Sequence, residues 1–377
     1  MGKNRRRRKG KATKPQQIPD KPPHQKETPG GSNSGHRACW SDSDEPQSKF
    51  IKYDSGRVVD LKKDGGPKYF EPVLRVRRSV VSLVTTTDEW RMFCSGTVVD
   101  HVDKKTWILT SATLVRKPGT QFEAYGREEI KIEVVLHSGE TVGGFLEMCN
   151  LHYNIAIVTI EYPDSLLYLP AVELRDLPLN YSLQPRPVAA LGRDVDSKAF
   201  LLRCGQLIRD GSELDCKELL VCSFDVSEDF IGGPIMDSEK RFLGITYSFE
   251  KTALFLPVEI AARCIKYFKK ERILPWLHIR GPALHTLDID VLETICCKFA
   301  MPPSGLLVDK ICDTSSENYD GIEVGDIISK LDGVALYSVA QFTAMFLDKF
   351  EVAMDTLNAV TLQMEGAKRS DLLLVWR

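Results

Sequence analysis

The stretch that most restricts what this chain can fold into is Asp229-Phe230-Ile231-Gly232-Gly233-Pro234-Ile235, followed by Phe242-Leu243-Gly244-Ile245. Two adjacent glycines admit backbone angles that other residues avoid, so a tight turn is expected between two apolar runs. Upstream, Ser79–Val84, Phe93–Val99 and Trp107–Thr110 read as strands, and Val188–Gly192, Leu202–Leu207 and Leu219–Asp225 are further β-rich runs. Residues 133–149 read as a hairpin turning at Ser138-Gly139-Glu140. Short strands at this spacing, separated by turn signals, predict an all-β barrel or sandwich. A helix over about Glu259 to Lys270 is expected next, with Ile260, Cys264, Ile265 and Phe268 on one face.

Residues 1–68 are rich in Pro, Gly, Ser, Lys and Asp and hold few apolar residues to offset the entropy of ordering, so this tail is expected to be disordered. The net charge of the chain is only −2, yet Lys3, Arg5, Arg6, Arg7, Arg8, Lys9 and Lys11 form a basic run without an acid. Such a run fits a nuclear localisation signal or a solvated tail. No aromatic residues interleave with it to stack on bases, so nucleic acid is not an expected partner. No apolar stretch is long enough to span a bilayer, and none follows the basic run as in a secretory signal. Nucleus or cytoplasm is the expected compartment, with no membrane contact. The ten cysteines show no CxxC pair, so free thiols in a reducing setting are expected. No metal-ligand spacing and no cofactor motif is present.

Residues 229–235 and the strand after them resemble the Gly-Asn-Ser-Gly-Gly-Pro loop and Val-Gly-Ile strand of trypsin-like serine proteases. Ser95-Gly96-Thr97-Val98-Val99, Ile108–Val115 and Tyr153–Ile160 resemble further motifs of the HtrA/Deg (Do-like) family. Near the C-terminus, Gly321–Ile328 and Leu331-Asp332-Gly333-Val334 resemble the family's PDZ domain, and Asp-Gly between apolar runs is a hairpin signal by itself. The resemblance implies a mainly β protein: a disordered basic tail over 1–68, a chymotrypsin-like double β-barrel over 69–271, and an α+β PDZ domain over 272–377. It also implies assembly with protease-fold subunits, as a homo- or hetero-oligomer, in which Tyr69-Phe70 is a candidate contact.

The resemblance places Thr113, Asn154 and Ile231 where the family carries its catalytic histidine, aspartate and serine. In a working triad the serine attacks, the histidine moves the proton and the aspartate fixes the histidine. Isoleucine has no lone pair, threonine is not a base near neutral pH, and asparagine carries no charge. Asp229 and Phe230 replace a glycine and an asparagine of the oxyanion loop, where a carboxylate opposes a developing anion. His152, two residues before Asn154, is the one histidine near a triad position and is read as a loop residue. A peptide C-terminus is expected to add as a strand beside Trp276, Leu277, His278 and Ile279, against a helix capped by Ser338 that carries Phe342 and Met345. His278 stands where the family has a glycine. The expected function is an inactive homologue that binds polypeptides or protein C-termini; the alternative is an ATP-independent serine endopeptidase.

Overall fold

A computed structural model of the chain describes residues 50–52, 58–60, 75–87, 90–120, 123–161, 169–175, 177, 185–211, 214, 216–275, 279–297, 303–311, 322–356, 360–366 and 372–376. The basic run Lys3–Lys11, Tyr69-Phe70 and Trp276–His278 lie outside these residues.

The first barrel closes from six antiparallel strands: β3 (Val80–Thr86), β4 (Arg91–Val102), β5 (Lys105–Ser111), β6 (Lys131–Val135), β7 (Thr141–Asn150) and β8 (Ile155–Glu161), in the ring order β3-β4-β5-β8-β7-β6. Side chains alternate across a strand, and β8 uses both faces. Ala156, Val158 and Ile160 enter the barrel's own core with Leu83, Val98 and Ile108. Ile155 and Ile157 point the other way, with Leu109, into a cluster shared with the second barrel. A sheet buried on both faces reads as a continuous apolar run rather than an alternation, and Ile155–Ile160 is such a run.

The second barrel uses β9 (Arg186–Arg193), β10 (Phe200–Gly211), β11 (Leu220–Asp225), β12 (Pro234–Asp237), β13 (Phe242–Phe249) and β14 (Thr252–Pro257). β12 pairs with β9, β9 with β10, β10 with β11, β11 with β14, β14 with β13 and β13 with β12, which closes the ring. The fold is therefore a chymotrypsin-like double β-barrel. Arg193 ties the two barrels together: its guanidinium donates to the carbonyls of Val80 (2.7 Å), Arg77 (2.7 Å) and Lys198 (3.0 Å).

Two short strands, β1 (Phe50–Lys52) and β2 (Val58–Asp60), lie within the stretch expected to be a disordered tail. They pair with each other, and β1 runs parallel to β10 through Lys52 and Leu201.

Helix α1 (Val258–Lys269) follows β14 and buries Val258, Ile260, Ala261, Cys264 and Ile265 on the second barrel. The C-terminal unit then holds β15 (Ile279–Arg280), α2 (Ile289–Cys296), β16 (Leu306–Leu307), β17 (Lys310–Ile311), β18 (Ile327–Leu331), β19 (Val334–Ala335), α3 (Val339–Thr356), β20 (Val360–Gly366) and β21 (Leu372–Trp376). Asp332 and Gly333 both have positive φ, 49° and 77°, the combination a two-residue hairpin turn requires between β18 and β19. Ser338 caps α3 by accepting from the Gln341 N–H at 3.1 Å.

α1 and α3 meet along a seam. The Tyr267 ring of α1 is buried in the C-terminal unit's core, and its hydroxyl donates to the Leu347 carbonyl at 2.7 Å. Beside it, Arg263 grips Asp348 through two nitrogens (2.8 and 2.7 Å), Lys266 and Lys270 reach Glu351 (2.6 and 2.5 Å), and Arg272 reaches Asp355 (2.5 Å).

Candidate functional site

Three elements from both barrels converge on the cleft between them. Thr113 sits on a one-turn 3-10 helix, Ala112–Val115, that leaves β5 and is capped by Ser111, whose hydroxyl accepts from the Thr113 N–H at 3.1 Å. Asn154 ends the turn between β7 and β8 with φ +53°, the left-handed region that asparagine and aspartate tolerate better than other non-glycine residues. Tyr247 of β13 holds that turn from the second barrel, its hydroxyl 2.8 Å from the Tyr153 carbonyl and 2.9 Å from that of Asn154. Ile231 ends a second 3-10 turn, Glu228–Phe230, and its half-buried side chain packs on the first barrel's core.

Gly232 lets these pieces close up. Its φ is +83°, and a Cβ there would lie 2.3 Å from the Ser95 carbonyl oxygen and 2.8 Å from the Ser111 nitrogen. The turn after Ile231 therefore touches the cap of the turn carrying Thr113. Gly233 is equally tight, since a Cβ would meet the Leu191 carbonyl oxygen at 2.1 Å.

The structure thus brings Thr113, Asn154 and Ile231 to one place. Asn154 Nδ2 donates to Thr113 Oγ1 at 3.0 Å, while Asn154 Oδ1 accepts from Arg116 Nη2 at 3.0 Å. The Ser111 hydroxyl donates to Thr113 Oγ1 at 2.8 Å. Thr113, Ser111 and Asn154 are neutral side chains joined by hydrogen bonds, and the Arg116 guanidinium lies on the far side of the Asn154 amide. Threonine's hydroxyl here accepts two donors and has no base beside it to remove its proton.

The loop before Ile231 is folded away from oxyanion chemistry. The Ile231 N–H donates to the Glu228 carbonyl at 3.0 Å, closing the 3-10 turn, and the Gly233 N–H donates to the Phe230 carbonyl at 3.0 Å. An oxyanion hole needs such N–H groups aimed at the substrate. Asp229 keeps its carboxylate near Ser227, whose hydroxyl donates to it at 3.2 Å, and its carbonyl accepts from Ser95 Oγ at 2.5 Å. Phe230 is fully buried, so it is a core residue of the second barrel rather than a displaced loop side chain.

The buried thiols near the site are not activated nucleophiles. Burial pushes the Cys94 and Cys222 thiols up to about 12, and burial followed by the Glu218 carboxylate raises Cys216 well above its usual range. A reactive thiol needs the opposite shift. His152 stacks edge-on against Tyr153 with centroids 4.5 Å apart, and burial lowers its pKa while Glu218 opposes that shift. Among the described residues no group of three or more His, Cys, Asp or Glu is placed to hold a metal ion.

The second candidate site lies beside α3. Ile279 of β15 and Phe342 and Phe346 of α3 line one pocket, floored by Leu306, Val308 and Ile328. Met345 packs on the same core without lining that pocket. The pocket's other wall is His152, Tyr153, Lys217 and Glu218 of the barrels. Reasoning from sequence missed Arg116, Tyr247 and Glu218. Arg116 was within reach: three residues after Thr113 on a 3-10 turn, the two positions eclipse. Tyr247 and Glu218 act across long sequence separations and leave no local signal.

Residues 94–245 match the family model of the trypsin-like peptidase domain. Serine protease HTRA3 of Rattus norvegicus is 24% identical over 282 residues, 71% of this chain and 56% of that protein. The Mus musculus protein of the same name is 23% identical over the same coverage. The chain thus spans little more than half the length of these relatives. Among solved structures, the HtrA-type protease AlgW with tripeptide superposes with a TM-score of 0.52 at 15% identity, covering 82% of this chain and 96% of that one. The chain is thus similar in sequence to the two HTRA3 serine proteases and in fold to the HtrA-type protease AlgW.

Proposed function

We propose that this chain is a proteolytically silent HtrA/Deg-like protein that works by binding polypeptides or protein C-termini, through its protease-fold barrels and a C-terminal PDZ domain. The observation that carries the reading is the hydrogen-bonded pair Thr113 and Asn154, which together with Ile231 stands at the positions assigned to a base, an acid and a nucleophile and offers none of these side chains. The Ile231 N–H, spent on Glu228, adds to it. The alternative is an ATP-independent serine endopeptidase, favoured by the activity named for HTRA3 and AlgW. Purified protein incubated with unfolded fluorescent casein and with a fluorophosphonate probe separates the two. Silence in both assays is expected; labelling that persists after contaminant controls sinks the proposal.

The binding half rests on the apolar pocket between β15 and α3, where an extended peptide could add as a strand beside β15. The solved AlgW structure carries a tripeptide, which fits the same class of ligand. Assembly with other protease-fold subunits and a nuclear address read from Lys3–Lys9 belong to the same proposal. Deleting Lys3–Lys11 is expected to move a tagged protein out of the nucleus, and an unchanged distribution reduces the run to a solvated tail.

A further inference from the structure

A larger cavity lies on the barrels and takes in none of Thr113, Asn154 and Ile231. It holds about 690 Å³, against about 50 Å³ in the pocket beside α3, and falls within the range of small-molecule sites. Three pieces of chain build it: residues 75–79 ahead of β3, residues 170–177 of the link between the barrels, and the β12–β13 hairpin. Each piece is pinned by hydrogen bonds. The Ser79 N–H donates to the Val76 carbonyl and the Val172 N–H to the Val98 carbonyl, both at 2.8 Å. The hairpin is held by the buried Asp237, whose carboxylate accepts from the Glu239 N–H (2.8 Å), the Arg241 N–H (3.0 Å) and Arg241 Nε (2.8 Å). The cavity is therefore preformed.

The lining has two characters. Val172, Met236 and Phe242, buried in the barrel cores on their other sides, give it an apolar floor. Around them the described lining carries four cations, Arg75, Arg175, Lys240 and Arg241, and two carboxylates, Glu173 and Glu239. Asp237 lies against Arg241 and lowers the excess of positive charge from two to one, which suits a monoanion better than a dianion. Arg241 is committed to Asp237 and Glu239, at 2.8 and 2.9 Å. Arg175 differs: it meets Glu173 at 2.7 Å, but the two side chains are 72% and 67% exposed. Such a pair contributes little, so an incoming carboxylate can displace Glu173 and take the guanidinium through two hydrogen bonds. Lys240 stands exposed at the hairpin tip with φ +70°, its N–H on the Asp237 carbonyl at 3.2 Å. We propose that this cavity binds a small amphiphilic monocarboxylate of the medium-chain fatty-acid class, with its hydrocarbon on the floor of Val172, Met236 and Phe242 and its carboxylate at the rim with Arg175 and Lys240. The site is independent of whether the cleft hydrolyses peptides. The turn at Ile231–Gly233 precedes β12, and the cavity wall at Glu239–Phe242 follows it.

The test titrates the full-length protein by calorimetry with sodium decanoate below its micelle concentration, and with decanol and decyltrimethylammonium, which share the hydrocarbon but not the charge. Two variants accompany the parent. Arg175→Glu combined with Lys240→Glu reverses the two rim cations, and Ala171→Trp puts a large ring into the lining from an exposed position. All three positions are exposed, so the fold is expected to survive, and urea unfolding without ligand checks it. If the reversed variant is destabilised, Arg175→Gln with Lys240→Gln removes the charges without reversing them and reads the same loss. The parent is expected to bind decanoate at a single site, about tenfold or more tighter than decanol, the scale of one charge-assisted hydrogen bond, and decyltrimethylammonium more weakly still. The charge variant is expected to lose about tenfold or more for decanoate and nothing for decanol, whereas Ala171→Trp weakens both. Failure of the parent to bind decanoate, equal affinity for decanoate and decanol, or decanoate affinity retained by either variant overturns the inference.

Discussion

The cleft between the barrels and the groove beside α3 are two sites built on similar frames, and they differ in what their work demands. In the cleft the turns, caps and glycines that position a triad are present, down to the Gly232 approach to Ser95. Its three decisive side chains are an alcohol, an amide and a hydrocarbon. Catalysis depends on a few atoms with particular pKa values, so on the proposed reading three substitutions remove it without loosening the fold. The groove depends on backbone edges and apolar area, which tolerate many sequences. Scaffold and chemistry are therefore separable in the first site and nearly the same thing in the second.

The sharpest way to break this contrast is to restore the chemistry alone. Thr113→His, Asn154→Asp and Ile231→Ser together are expected to regain little hydrolysis of unfolded fluorescent casein, because the residue 231 N–H remains committed to Glu228. Adding Asp229→Gly frees the turn to rearrange and is expected to raise the rate by about a hundredfold or more, the scale of one oxyanion donor. If the triple variant matches the quadruple one, the loop is no obstacle and the cleft is poorer in chemistry only. The left-handed φ of Asn154 poses no barrier, since aspartate shares that tolerance.

A smaller effect tests whether the altered loop is scaffold. Phe230→Asn removes a fully buried ring and is expected to cost about 3–5 kcal/mol in urea unfolding. Restoring the family-like asparagine at 230 thus harms the protein. Ile231→Ser, at a half-buried position, is expected to cost about 1 kcal/mol. Equal costs at the two positions would remove the distinction between core and chemistry within one loop.

The barrels and the C-terminal unit also differ in alkaline solution. Cys94 and Cys222 ionise at about 12 in the fold against 9.0 for an ordinary thiol, because burial penalises the thiolate. A pKa raised on folding gives stability that is complete below pH 9 and is lost as pH climbs from 9 towards 12. Each thiol is expected to withdraw about 1.4 kcal/mol by about pH 10. The described part of the C-terminal unit holds no fully buried thiol of this kind: Cys296 is half-buried and Cys297 exposed. Cys94→Ala combined with Cys222→Ala should make the alkaline limb shallower, with other thiols raised by burial, such as Cys216, sustaining the rest; an unchanged limb assigns it to other groups.

The smallest predicted effect lies at the seam. Asp348→Asn loses a bidentate partner for Arg263 at a side chain that is half exposed, and is expected to cost about 0.5–1 kcal/mol, shrinking in high salt. A cost that ignores salt would point to packing rather than charge.

The double barrel was legible because its signals are local: period-two strands, the Gly232-Gly233 turn, Asp332-Gly333, the Ser338 cap. The three site positions were proposed from recognisable flanking motifs, and the structure joins Thr113 to Asn154 by a hydrogen bond. What escaped was set by contacts distant in sequence. The Glu228–Ile231 hydrogen bond depends on a turn whose conformation either loop could adopt. Phe230 reads as a loop substitution until the second barrel's core is seen around it. The strands Phe50–Lys52 and Val58–Asp60 are hidden in polar sequence and exist by virtue of an edge offered by β10.

Tyr267 belongs by sequence to the last helix of the barrels and by packing to the core of the next unit, where its hydroxyl ends on the Leu347 carbonyl. A cut between them leaves an unsatisfied hole on one fragment and a bare aromatic ring amid four cations on the other. Neither half is then a portable module. Grafting this C-terminal unit onto another barrel requires carrying the donor helix along, so recombination within such a chain is constrained to breakpoints before Val258, upstream of the place where the sequence itself invites a cut.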